Sequence, residues 1–124
     1  MAHRHIQPRK DETFLSVEET KTRLSLAFPE CVFDDQQGTE IADTMIAKLE
    51  QLRAPADLLA FYYDRRDEAT RCFVSDSSIS AEGVQFTLWR DGPLFIGFHS
   101  ASHEEATLPL LDRIAAALDY EVSW

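Results

Sequence analysis

Val84-Gln85-Phe86-Thr87-Leu88-Trp89-Arg90-Asp91-Gly92-Pro93-Leu94-Phe95-Ile96-Gly97-Phe98-His99 decides how the rest of this chain is read. Two apolar runs flank Asp91-Gly92, a dipeptide suited to a type I′ turn, whose two central residues need φ > 0. The expectation is a β-hairpin closed at Asp91-Gly92. In that register Trp89 faces Leu94, Thr87 faces Ile96 and Gln85 faces Phe98. Leu88 meets Phe95, Phe86 meets Gly97 and Val84 meets His99 on the opposite side, because strand side chains alternate. Both faces then carry large apolar groups. Such a hairpin lies inside a sheet covered on both sides, or it shows one apolar face to a partner.

Downstream of the hairpin, Ser102-His103-Glu104-Glu105 has the form of a capping box. Leu111, Ile114, Ala115 and Leu118 follow at helical spacing, so a helix is expected to run to about Leu118, with Pro109 kinking it or marking its start. Tyr120-Glu121-Val122-Ser123-Trp124 alternates and reads as a closing strand. Strands at 94–99 and 120–124 around that helix make a β-α-β unit with a right-handed crossover.

Upstream, Ser16-Val17-Glu18-Glu19 is another capping box, opening a helix that Pro29 stops. Cys31-Val32-Phe33 is β-prone and short, an edge strand. Thr39 is expected to cap a second helix carrying Ile41, Met45, Leu49 and Leu52, ending near Ala54. Residues 56–70 fit two structures. Pro55 suits the first position of a helix. The aromatic run Phe61-Tyr62-Tyr63 favours a strand that turns at 64–67 and returns through Thr70–Val74, and this hairpin is the favoured reading. The sum is an α+β domain over residues 13–124. It has a mixed, mostly antiparallel sheet of four or five strands, two or three helices and a C-terminal β-hairpin-α-β unit. Residues 1–12 are expected to be a flexible basic tail.

The composition narrows the function classes. At 124 residues with 44% hydrophobic and 27% charged side chains, the chain suits one soluble globular domain rather than a disordered one. Residues 1–10 carry Arg4, Arg9 and Lys10 and no acid, so the remaining chain holds all 22 acids against nine bases. An acidic body repels a phosphate backbone, so no nucleic-acid partner is expected, even though Phe61-Tyr62-Tyr63-Asp64-Arg65-Arg66 has stacking and basic groups. There is no secretory h-region and no long apolar run, so the expectation is a cytoplasmic protein with no membrane partner. Cys31 and Cys72 lack metal or redox spacing and are expected to be free thiols. Arg outnumbers Lys nine to three, which hints at a GC-rich bacterial source.

The candidate metal ligands are His99, His103 and Glu104. Two histidines four apart share a face when both are helical, although Ser100-Ala101-Ser102 interrupts the match. His3 and His5 form a second, weaker set. The candidate binding residues are Trp89, Leu94, Ile96 and His99, an aromatic and aliphatic patch suited to a partner surface. No nucleophile motif is present, and Gly38, Gly83, Gly92 and Gly97 each stand alone, so no phosphate cradle exists. No catalytic residue can be assigned, and no cofactor is expected.

Two functions follow. The first is a small acidic, non-enzymatic interaction protein, an inhibitor of a basic protein partner, monomeric or homodimeric. Bacterial immunity proteins share this profile, but no motif here ties the chain to them. The second is a small enzyme or a ligand- or metal-binding domain using His99, His103 and nearby carboxylates. A flat exposed patch around Trp89 favours the first. A concave pocket holding His99 beside an acid favours the second.

Overall fold

The computed structural model describes residues 3–123. In chain order the elements are β1 (His3–Gln7), α1 (Val17–Ala27), β2 (Val32–Asp34), α2 (Asp35–Gln51), α3 (Ala56–Arg65), β3 (Thr70–Val74), β4 (Val84–Leu88), β5 (Leu94–Gly97), α4 (Ala101–Leu118) and β6 (Glu121–Ser123). The class is α+β, as expected. The single sheet of four or five strands is replaced by two three-stranded antiparallel sheets, ordered β5-β1-β6 and β2-β3-β4. Four helices form rather than two or three.

The hairpin that anchored the sequence reading is the main correction. β4 and β5 pack side by side, but among the described residues no ladder joins them. The Gly92 N–H donates to the Trp89 carbonyl, so Arg90 and Asp91 are the central residues of the turn. Within the turn only Asp91 takes the left-handed conformation, at φ 57°, and Gly92 does not. A type I′ turn at Asp91-Gly92 is thereby excluded. Pro93 supplies the reason: it has no N–H to donate where the ladder would begin. Leu94 and Ile96 pair instead with Ile6 and Arg4 of β1.

β1 is the second correction. Residues 3–7 lie in the middle of a sheet, hydrogen-bonded on both edges, where a tail is expected. Ile6 is fully buried against the core, and this apolar residue holds the otherwise polar segment in place. β5 and β6 run in the same direction, as a β-α-β unit requires, but β1 is inserted between them and antiparallel to both. Of the strand expected at 120–124, Trp124 lies outside the described residues.

The helix boundaries follow their caps. Ser16 Oγ accepts the Glu19 N–H at 3.1 Å, as the capping box requires, while the Glu19 carboxylate turns outward to Arg23. Asp34, not Thr39, caps α2, its carboxylate accepting the Gln37 N–H at 2.8 Å. Asp35–Gly38 is therefore the first helical turn. A Cβ on Gly38 would lie 2.1 Å from the Ala69 carbonyl oxygen, so glycine is what lets α2 approach β3. Residues 56–65 are the helix α3 rather than half of a hairpin. Arg65 secures it by donating to the Phe61 carbonyl while its guanidinium lies 3.8 Å from the Phe61 ring centre. Ser100, not Ser102, caps α4, accepting the His103 N–H at 3.0 Å. Pro109 sits inside α4 on an exposed face, where the bond it forgoes costs least.

The strands sort their side chains into two faces. Ile6, Cys72, Val74, Val84, Phe86, Leu88, Leu94 and Ile96 join Leu24 of α1, Phe28 that caps its end, and Leu110, Leu111, Ile114 and Leu118 of α4 in the core. Each such aliphatic or aromatic side chain contributes roughly 1.5–3 kcal/mol by leaving water. Arg71, Phe73, Gln85, Thr87, Phe95, Gly97, His3 and His5 alternate with them and occupy the opposite face. There α2 and α3 flank one end and leave the rest open. Among the described residues no helix is long and apolar enough to cross a membrane.

Candidate functional site

The open sheet face holds two neighbouring hollows. The polar one, of about 680 Å³, is lined by Arg71, Phe73, Glu82, Gly83, Gln85, Phe95, Gly97, His99 and His103. His99 follows β5, and His103 lies in the first turn of α4, where the Ser100 cap sets the direction in which the helix leaves the sheet. The two imidazoles stack with centroids 4.0 Å apart and planes 12° from parallel. Glu82, in the loop before β4, completes a set of three whose ligand atoms all lie within 4.8 Å of one another.

His103 is the fixed member. It is buried, and the Phe98 ring meets it edge-on at 5.7 Å. Its Nε2 lies 3.0 Å from the Gly83 carbonyl oxygen. A carbonyl oxygen only accepts, so Nε2 carries the proton and Nδ1 holds the lone pair. That Nδ1 is buried with no hydrogen-bond partner. A metal-ligating histidine has this arrangement, with one ring nitrogen held by a backbone carbonyl and the other free to bind. His99 and Glu82 are exposed.

Glu104 is not part of the set. Its carboxylate is 3.4 Å from the Arg4 guanidinium on β1. Helical geometry separates it from His103, its neighbour in sequence, by about 100° around the axis. Glu82 takes the position assigned to Glu104. No local signal marked Glu82, which reaches the histidines only because β4 packs beside β5. The binding patch is dispersed as well. Leu94 and Ile96 are core residues, and Trp89 is half-buried with the Tyr62 ring edge-on at 5.3 Å. Only His99 of that patch is exposed. His3 and His5 share a face of β1 and pack on Phe95, with centroids 4.8 and 5.3 Å away.

The second, largely apolar hollow is about 450 Å³ and lies between the sheet and α2–α3. Ile41, Met45, Phe61, Tyr62, Trp89 and Phe95 contribute its apolar wall. Arg71 and Phe95 line both hollows. Arg71 Nη1 donates to Thr87 Oγ1 at 3.0 Å, while its Nε is buried without a partner. Burial pulls the Arg71 guanidinium below its usual range. On the core face, burial pushes the neighbouring Cys72 thiol up to about 12, and Cys31 is raised for the same reason. Both cysteines are free. A thiol held protonated is a poor nucleophile, so neither belongs to reactive chemistry.

Comparison with protein-family models, with curated proteins and with solved structures finds no match for this chain.

Proposed function

We propose that the protein binds a divalent transition-metal ion through Glu82, His99 and His103, and presents it to a small ligand in the open groove. The single observation that carries this is the buried, unpartnered Nδ1 of His103 beside two further donors, with Nε2 anchored on the Gly83 carbonyl. Leaving a buried polar atom unpaired costs about 1–3 kcal/mol, and a metal ion removes that cost. Two nitrogens and one carboxylate oxygen are the donor set of zinc sites that keep a coordination position open. Bonds of about 2.0–2.2 Å bring tetrahedral ligand atoms to about 3.4 Å from one another. Glu82 and His99 therefore swing inward on binding, and the stacked imidazole pair opens so that both lone pairs meet the ion.

The test is thermal unfolding with zinc. At a hundredfold excess over Kd, a site of this kind adds about 2.7 kcal/mol, a rise of several degrees. His99→Ala and Glu82→Gln alter exposed side chains, so both are expected to fold normally and to lose that rise. An unchanged melting temperature at saturating zinc contradicts the proposal.

The acidic balance supports a second reading, a binder of a basic protein partner. Association with a basic protein that weakens steeply as salt is raised is its expected sign; salt-independent association contradicts it.

A further inference from the structure

Arg71 stands apart from most other arginines of this acidic chain. Arg4, Arg9, Arg23, Arg65, Arg66 and Arg90 each lie within ion-pair distance of a carboxylate. No acid among the described residues pairs with Arg71, although acids outnumber bases 22 to 12. It is half-buried on the inner wall of the groove, one edge pinned by Thr87 and Nε facing no acceptor. A desolvated guanidinium without a counter-charge is costly, and the fold does not relieve it internally. The one carboxylate lining the polar hollow, Glu82, belongs to the histidine cluster. The apolar hollow begins directly beside Arg71, with Phe95 on the shared boundary.

We infer that Arg71 seats the oxyanion end of a small amphipathic molecule, a carboxylate or a phosphate monoester, whose apolar part fills the hollow formed by Ile41, Met45, Phe61, Tyr62 and Trp89. A guanidinium matches the planar fork of such an oxyanion. A hollow of about 450 Å³ with mostly apolar walls and a few polar groups, Arg71, Thr87 and His5, is of the size and character that hold small ligands. Thr87, which also lines the apolar hollow, orients the guanidinium by accepting a hydrogen bond from Arg71 Nη1. This site stands on Arg71 and the apolar hollow and does not depend on the metal.

Calorimetric titration of the full chain tests it with four probes: 3-phenylpropionate, phenyl phosphate, 3-phenylpropanol and inorganic phosphate. One of the two amphipathic anions is expected to bind saturably with Kd below about 1 mM, and which one does so identifies the oxyanion. The neutral alcohol and inorganic phosphate are expected to bind at least about tenfold more weakly, because each lacks one half of the match. Arg71→Gln is expected to weaken binding at least about tenfold, and Arg71→Lys to retain part of it, since charge survives without the fork. Binding is expected to persist in the presence of a metal chelator, since the site does not use the metal; loss of binding there overturns the inference. Without ligand, Arg71→Gln is expected to melt no lower than the wild type, as it removes an unpaired charge. Silence of all four probes, equal binding of alcohol and acid, equal binding of phosphate and phenyl phosphate, or undiminished binding by Arg71→Gln each overturns the inference. A lower melting point for ligand-free Arg71→Gln makes Arg71 a structural residue and overturns it too. Failure of Arg71→Gln to fold is the same structural result and overturns the inference as well.

Discussion

The ring of His103 and the carbonyl of Gly83 are joined by a hydrogen bond of 3.0 Å between elements twenty residues apart. It ties the start of α4 to the loop before β4 and decides which imidazole nitrogen is free. A Cβ on Gly83 would lie 2.7 Å from the Val74 carbonyl oxygen and 2.7 Å from the Phe73 ring. The ring can give way, but the backbone oxygen cannot without a shift of the loop. Gly83→Ala is therefore expected to lower stability by about 1–3 kcal/mol. It is also expected to weaken zinc binding about tenfold or more, the usual cost of losing an outer partner of a ligand. Urea unfolding and zinc titration measure the two effects; an unchanged zinc affinity contradicts the role given to the Gly83 carbonyl.

The position of β1 makes the N-terminus essential to the fold. Ile6 is fully buried, and Ile6→Ala is expected to cost about 2–5 kcal/mol. Removing residues 1–7 takes away the strand to which β5 and β6 both bond, and the remaining chain is expected not to fold cooperatively. A truncated protein that melts like the full chain would restore the reading of this segment as a tail.

The two thiols are expected to be inert in the native state. Burial holds Cys72 near 12 and raises Cys31, so little thiolate is present at neutral pH. Labelling with a maleimide, followed by mass spectrometry, is expected to be slow under native conditions and to reach two adducts in denaturant. Rapid native labelling of Cys72 contradicts the core packing.

Acid is expected to destabilise the protein through a small set of aspartates. The Thr70 hydroxyl, and then Lys21, hold Asp35 below the usual carboxylate range. Arg66 does the same for Asp43, and Ser78 for Asp76. A carboxyl depressed in the folded state contributes stability above its unfolded value, about 3.9, and loses it as pH falls through the folded value. The contribution of these aspartates to the urea midpoint is thus expected to be constant above about pH 5 and to fall away below about 4. Thr70→Val removes the first-named partner of Asp35 and is expected to make that fall shallower. An identical slope contradicts the assignment.

The legible parts of the fold were those governed by local chemistry. Ser16 capped its helix, Cys31–Phe33 gave an edge strand in part as β2, and α4 ran to Leu118 because caps and 3.6-residue periodicity act within one turn. Partner choice between strands was not legible. Asp91-Gly92 signalled a hairpin; the neighbouring Pro93 spoke against a ladder there, but the competing edge of β1 is a nonlocal matter, and β1 itself offers a single buried apolar residue, Ile6. The Phe61-Tyr62-Tyr63 run misled for a related reason: Phe61 and Tyr62 serve a helix wall of the hollow that Trp89 also lines, and Tyr63 bonds to Glu50 on the surface. His99 and His103 stood out in the sequence and lie together. Their carboxylate did not, because Glu82 reaches them through tertiary structure, whereas Glu104 is adjacent in sequence and points to Arg4. Arg71 gave no signal, since the absence of an acid partner is a property of the folded surface.

The metal site is tested most directly by long-range proton–nitrogen NMR of the histidine rings as zinc is added. The account predicts that His103 starts with its proton on Nε2, and that one equivalent of zinc moves His103 Nδ1 and one ring nitrogen of His99 while His3 and His5 stay unchanged. A His103 ring protonated on Nδ1, or zinc that perturbs only His3 and His5, would contradict it.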